Sequence, residues 1–187
     1  MRTTDVEILI VPGAVDAGPE HWLSRWERRL TTARRVEQVA WARPDRAAWS
    51  AVLVAAVEVA RQQVVLVAHG LGVATVAHAA PALPAGRVAG AFLVAPVSQA
   101  HLARMPGIDL QFPPLPDDPL PFPSLLIASR TDGACPYEDA GDMALAWGSL
   151  LVDAGDVGHL DVASGHGPWP EGAMRFGWFL KNLKTET

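Results

Sequence analysis

An α/β domain with a mostly parallel six-stranded sheet and helices on both faces is the fold this sequence predicts, and three observations carry that prediction. Short apolar runs rich in Val, Ile and Leu recur along the chain. Longer segments of helical period separate them in strict alternation, which calls for crossover connections and a sheet covered on both sides. Half of the 187 residues are hydrophobic and only 19% are charged, so a single well-packed domain over 1–187 accounts for the length, with no repeat or dividing linker.

Strands are expected at 6–11, 36–41, 64–68, 88–95, 125–129 and 150–152, each a compact apolar run bounded by Gly, Pro, Asp or Ser. Helices are expected over 20–30, 45–61, 71–80, 137–147 and about 170–183. The second places Trp49, Val52, Leu53, Ala56, Val59 and Ala60 on one face, with Asp45 positioned to cap its first turn. The stretch "MPGIDLQFPPLPDDPLPFP" (105–123) is too rich in Pro for a regular helix or a central strand, and reads as a stiff connector or the rim of a site.

Composition excludes several function classes. A net charge of −5 and a pI near 5.6 leave no basic field to gather a polyphosphate, so no nucleic-acid partner is expected. The longest apolar candidate, 47–60, is too short to span a bilayer and contains Glu58; no membrane association is expected. With Cys135 the single cysteine and no signal-peptide pattern at the N-terminus, cytoplasmic residence is the expectation. His, Asp and Glu are scattered without metal-ligand spacing, so neither a metal nor a cofactor is expected.

In a parallel sheet, ligands bind beyond the carboxyl ends of the strands, which directs attention to the strand-end loops. The first, "VPGAVDAGPEHW", can aim the backbone N–H groups of Gly13 and Ala14 at an oxyanion, and lacks the glycine spacing of a nucleotide-binding loop. The third strand ends in "VVLVAHGLGVA", where His69-Gly70-Leu71-Gly72 joins strand to helix in the manner of a nucleophile elbow. In such a turn the central residue is lifted clear of the sheet, and the following N–H, here that of Leu71, contributes to an oxyanion hole. Gly72 lets the helix approach the sheet closely.

Asp132 follows the fifth strand in "LLIASRTDGACPY", and His159 follows the sixth in "VDAGDVGHLDVASGHGPWPEG". Singly, Asp132 reads as a turn former and His159 as a surface histidine. In the order elbow, Asp, His, they follow the chain order of an α/β-hydrolase triad. His166 in "SGHGPW" ranks second as the base. His21 and His78 read as packing or hydrogen-bonding residues, and the seven tryptophans as core or rim.

With these residues assembled, the sequence resembles the small serine hydrolases of the retinoblastoma-binding protein 9 type. The resemblance runs through "VPG", "GPEHWLSRWE", "VAHGLG", "LVAPV", "IASRTDGACPY" and "GHLDVASGHGPWPEG". It implies a lidless, single-domain α/β-hydrolase fold acting on small acyl compounds, with the family's nucleophile falling on Gly70, its acid on Asp132 and its base on His159. The family pattern has Ser where this chain has Gly70, so the hydroxyl that would accept the acyl group is missing. Ser98, Cys135 or a water activated by His159 could stand in for it. Three functions follow: a hydrolase-family member impaired at its nucleophile, a catalytically silent protein that holds a ligand or partner protein, or an Asp-His dyad using water.

Overall fold

The structure, a computed structural model, describes residues 1–14 and 17–183. Its strands are β1 (Glu7–Val11), β2 (Ala33–Arg35), β3 (Val64–Gly70), β4 (Val88–Pro96), β5 (Ser124–Ala128) and β6 (Leu150–Asp153). They form one sheet in the order β2-β1-β3-β4-β5-β6, and every neighbouring pair is parallel. The helices are α1 (Trp22–Arg29), α2 (Arg46–Glu58), α3 (Leu71–Ala79), the short α4 (Gln99–Leu102), α5 (Tyr137–Trp147) and α6 (Pro170–Asn182).

Period-two alternation in the central strands divides the apolar side chains between two cores. Leu9, Val11, Leu66, Ala68, Leu93 and Leu126 share one face with Trp49 and Leu53 of α2, Ala74 of α3 and Trp147 of α5. Ile8, Ile10, Val65, Val67, Phe92 and Ile127 share the other with Trp22 and Trp26 of α1 and Phe176 and Phe179 of α6. Each fully buried Leu, Ile or Val contributes roughly 1.5–3 kcal/mol by leaving water, so these four strands anchor the domain. Asp45 caps α2 as its sequence suggests, accepting a hydrogen bond from the backbone N–H of Ala48 at 2.7 Å. The buried face of α2 is set by Trp49, Leu53 and Val57, while Val59, expected inside, is 72% exposed.

Two expectations are corrected. The second strand is Ala33–Arg35 rather than 36–41. Its guanidinium groups are satisfied at the sheet edge: Arg34 bonds Glu7 and the Ala56 carbonyl, and Arg35 bonds Glu27, Ser24 and the Ala17 carbonyl. After Val36 the chain leaves the sheet and packs on α2 instead. The Trp49 indole donates to the Val39 carbonyl at 2.8 Å, and the Trp41 and Trp49 rings lie 5.4 Å apart. The Pro-rich stretch is more than a connector: Ile108, Phe112, Leu115 and Phe122 are buried in the α2–α3–α5 core, and the Trp147 indole donates to the Pro116 carbonyl at 2.7 Å.

The strand order reverses between β1 and β3, since the chain leaves β1 toward one edge and β3 toward the other. The loops at the carboxyl ends of these strands therefore part and leave a crevice, where a ligand site is expected.

Candidate active site

The crevice is floored by the turn from β3 into α3, which uses no intervening residue. Gly70 sits at φ 57°, ψ −124°, a region L-residues occupy only under strain. It provides no side-chain cap for α3, so the first-turn N–H groups, that of Leu71 foremost, are left available to a ligand. The elbow lies tightly against the loop after β1: a Cβ added at Gly13 would come within 3.4 Å of the His69 carbonyl oxygen and 3.6 Å of the Leu71 nitrogen. Gly13, Ala14, Gly70 and Leu71 thus line one cavity.

Asp132 and His159 meet at the ends of β5 and β6. His159 Nδ1 lies 2.9 Å and 3.0 Å from the two carboxylate oxygens of Asp132, so the ring donates from Nδ1 and leaves Nε2 as the free acceptor. Asp132 is buried, and its Oδ1 also accepts from the Ala134 N–H at 2.8 Å, fixing the carboxylate. The β5-end and β6-end loops are tied together by hydrogen bonds from Val157 N–H to Ser129 Oγ and from Gly158 N–H to Thr131 Oγ1. Leu160, next in sequence to His159, takes a left-handed φ of 52°; its buried side chain and the Trp22 indole donating to its carbonyl at 2.9 Å hold it there. A Cβ built on Gly70 would lie 3.4 Å from His159 Nε2, which faces the elbow.

Two further histidines support this loop. The His69 ring is buried and donates from Nε2 to the His159 backbone carbonyl at 2.8 Å, with its ring edge-on to His159 at 4.8 Å and to His21 at 5.0 Å. His21 caps α1 by accepting the Leu23 N–H at Nδ1. Burial, reinforced by the neighbouring His159 and His21 rings, pushes His69 down to about 3, and burial also pushes His21 down to about 4, from an ordinary 6.5. Below pH 6.5 the unfolded chain therefore binds protons that the native chain refuses, and stability falls with acidification toward pH 4. The melting temperature is expected to drop across that window, before most carboxylates titrate. His69→Gln, which keeps a donor for the His159 carbonyl, is expected to flatten the slope; an unchanged slope would remove His69 from the account.

Comparison with known proteins accords with this geometry. The family model described as Serine hydrolase matches residues 8–178. The chain belongs to the serine hydrolase family. A protein of Pectobacterium atrosepticum assigned as a YdeN-like hydrolase is 31% identical, over 98% of this chain and 95% of its own, with a TM-score of 0.85. The ydeN gene product of B. subtilis shares the fold at 20% identity and a TM-score of 0.74, covering 95% of this chain and 100% of its own. An esterase domain from Rhodothermus marinus also shares it, at 17% identity and a TM-score of 0.69, over 98% and 89% of the two chains. Comparison with curated proteins gave no match.

Around the elbow of this serine hydrolase family member, the cavity measures about 420 Å³. Its walls bring in residues that sequence reasoning did not assign to the site: His69, His101 and Asp161, with His21, expected to pack or hydrogen-bond locally, and Met105, which opens the Pro-rich stretch. His69 carried the one available signal, its position beside the elbow. The other candidate nucleophiles do not line this cavity. Ser98 is buried and caps α4, accepting the His101 N–H at 3.1 Å. Cys135 is buried too, and burial pushes its thiol up to about 12, far from a reactive thiolate. His166 contacts Ser164 and Trp169 and lines a different cavity. No group of three or more His, Cys, Asp or Glu among the described residues could hold a metal, and no described helix is long and apolar enough to cross a membrane.

Proposed function

We propose that this chain is an ester-hydrolase site held in a form that binds small acyl compounds without forming an acyl-enzyme. Gly70 stands at the nucleophile position, Asp132 orients His159 as base, and the N–H groups of Gly13, Ala14 and Leu71 cradle the carbonyl oxygen. The resemblance to the retinoblastoma-binding protein 9 type and the esterase domain among the structural neighbours support this reading. The observation that carries it is the 3.4 Å between a Cβ at position 70 and His159 Nε2. A serine Oγ extending from that Cβ falls within hydrogen-bond reach of the base, in the relation a nucleophile and its base require.

In a Gly70→Ser chain, His159 Nε2 takes the hydroxyl proton as Oγ attacks the acyl carbon, Asp132 stabilises the resulting imidazolium, and the N–H groups receive the oxyanion. In the chain as it stands, Gly70 offers no oxygen, and only a water placed beside Nε2 could be activated. Treatment of both chains with a fluorophosphonate probe tests the proposal. Labelling of Gly70→Ser with none of the unmodified chain is the expected result. An unlabelled Gly70→Ser chain would overturn the roles given to Asp132 and His159, and a labelled unmodified chain would show that a nucleophile persists elsewhere.

A further inference from the structure

The cavity over Gly70 carries a charge that acyl chemistry does not use. Asp161 lies two residues past His159 in the same strand-end loop and lines the cavity. Its Oδ1 is fixed by the Ser164 N–H at 2.9 Å and the Ser164 hydroxyl at 2.8 Å. Its Oδ2 takes no hydrogen bond or ion pair from any described residue. Although burial opposes its charge, the two Ser164 hydrogen bonds prevail and hold the carboxyl below the usual range, so it is ionised near neutral pH. The carboxylate lies close enough to act electrostatically on His21, His69 and His159.

No lysine or arginine is among the described lining residues, and burial keeps His21 and His69 neutral at pH 7. The remaining wall is largely apolar, with Leu71, Val97, Met105 and Ala134 among its residues. An anionic ligand entering here loses hydration and meets a fixed negative charge, whereas a cation exchanges hydration for a preorganised carboxylate.

We infer that Asp161 is a ligand-recognition carboxylate, and that the acyl compounds taken by this cavity carry an ammonium group rather than a carboxylate or phosphate. The inference rests on the proposed reading of the cavity as an acyl-compound site. It names the substrate class that the geometry selects within it.

Binding to the unmodified Gly70 chain tests this without requiring catalysis. Acetylcholine and its uncharged isostere 3,3-dimethylbutyl acetate are compared by calorimetry, in low salt at about pH 8, above the ordinary histidine range. Acetylcholine is expected to bind about fivefold or more tightly than the isostere. Asp161→Asn, whose amide oxygen can still accept from Ser164, is expected to abolish the difference while leaving the melting temperature near that of the parent. Equal binding, absence of acetylcholine binding at millimolar concentration, or a preference that survives Asp161→Asn would each overturn the inference. Fluorophosphonate labelling separates the two proposals. A labelled Gly70→Ser chain with no cation preference refutes Asp161 alone, and an unlabelled one with the preference intact refutes the triad reading alone.

Discussion

Gly70→Ser is expected to raise turnover of a short-chain p-nitrophenyl ester by about 10³-fold or more, with His159→Ala on that background returning it to the level of the unmodified chain. Loss of the nucleophile from a working triad costs about six orders of magnitude, because the base and oxyanion hole then have no covalent step to serve. A hydroxyl introduced at position 70 is expected to supply a substantial part of that, since Nδ1 of His159 rests on Asp132, Nε2 faces the elbow, and Leu71 N–H lies at the start of α3. The gain has a structural cost. At φ 57°, ψ −124° a residue with a Cβ is strained by about 1–3 kcal/mol relative to glycine. For a domain of this length that lowers the melting temperature by about 2–12 °C. Kinetics and thermal melts of the same protein check both halves. Higher turnover with no loss of stability would mean that the elbow relaxes around serine, and unchanged turnover would mean that the Asp132–His159 pair is not a catalytic base.

The sequence made the central sheet legible because β1, β3, β4 and β5 are buried on both faces and so read as unbroken apolar runs. The second strand escaped for the opposite reason. Ala33–Arg35 lies at an edge, its arginines are held by ion pairs and carbonyls that sequence does not display, and the more apolar residues after it pack on α2. The same divide runs through the site. Gly70, Asp132 and His159 fall at the ends of β3, β5 and β6 and follow a known chain order, so position alone singled them out. Asp161 and Met105 reach the cavity from loops and His101 from the short α4, by paths that no periodicity encodes. His21 offered a helix start but no indication that its ring would rest on His69.

Gly72→Ala is expected to destabilise the domain by about 3 kcal/mol or more, lowering the melting temperature by about 6–12 °C. A Cβ at this position would lie 2.2 Å from the Val11 carbonyl oxygen and 2.6 Å from that of Pro12, both backbone atoms at the end of β1. No rotamer change relieves such a contact. Either α3 lifts from the sheet, opening the core around Ala74 and Leu71, or the end of β1 moves and carries Gly13 away from the elbow. Both displacements part the N–H groups assigned to the oxyanion, so Gly72→Ala on the Gly70→Ser background should also lose most of the restored ester turnover. Gly141→Ala provides the contrast: within α5 its Cβ would meet nothing within 4 Å, and alanine there should be neutral or stabilising by up to about 1 kcal/mol. If Gly72→Ala melts with the parent, the close approach of α3 to β1 is not what positions the elbow, and the oxyanion assignment loses its structural basis.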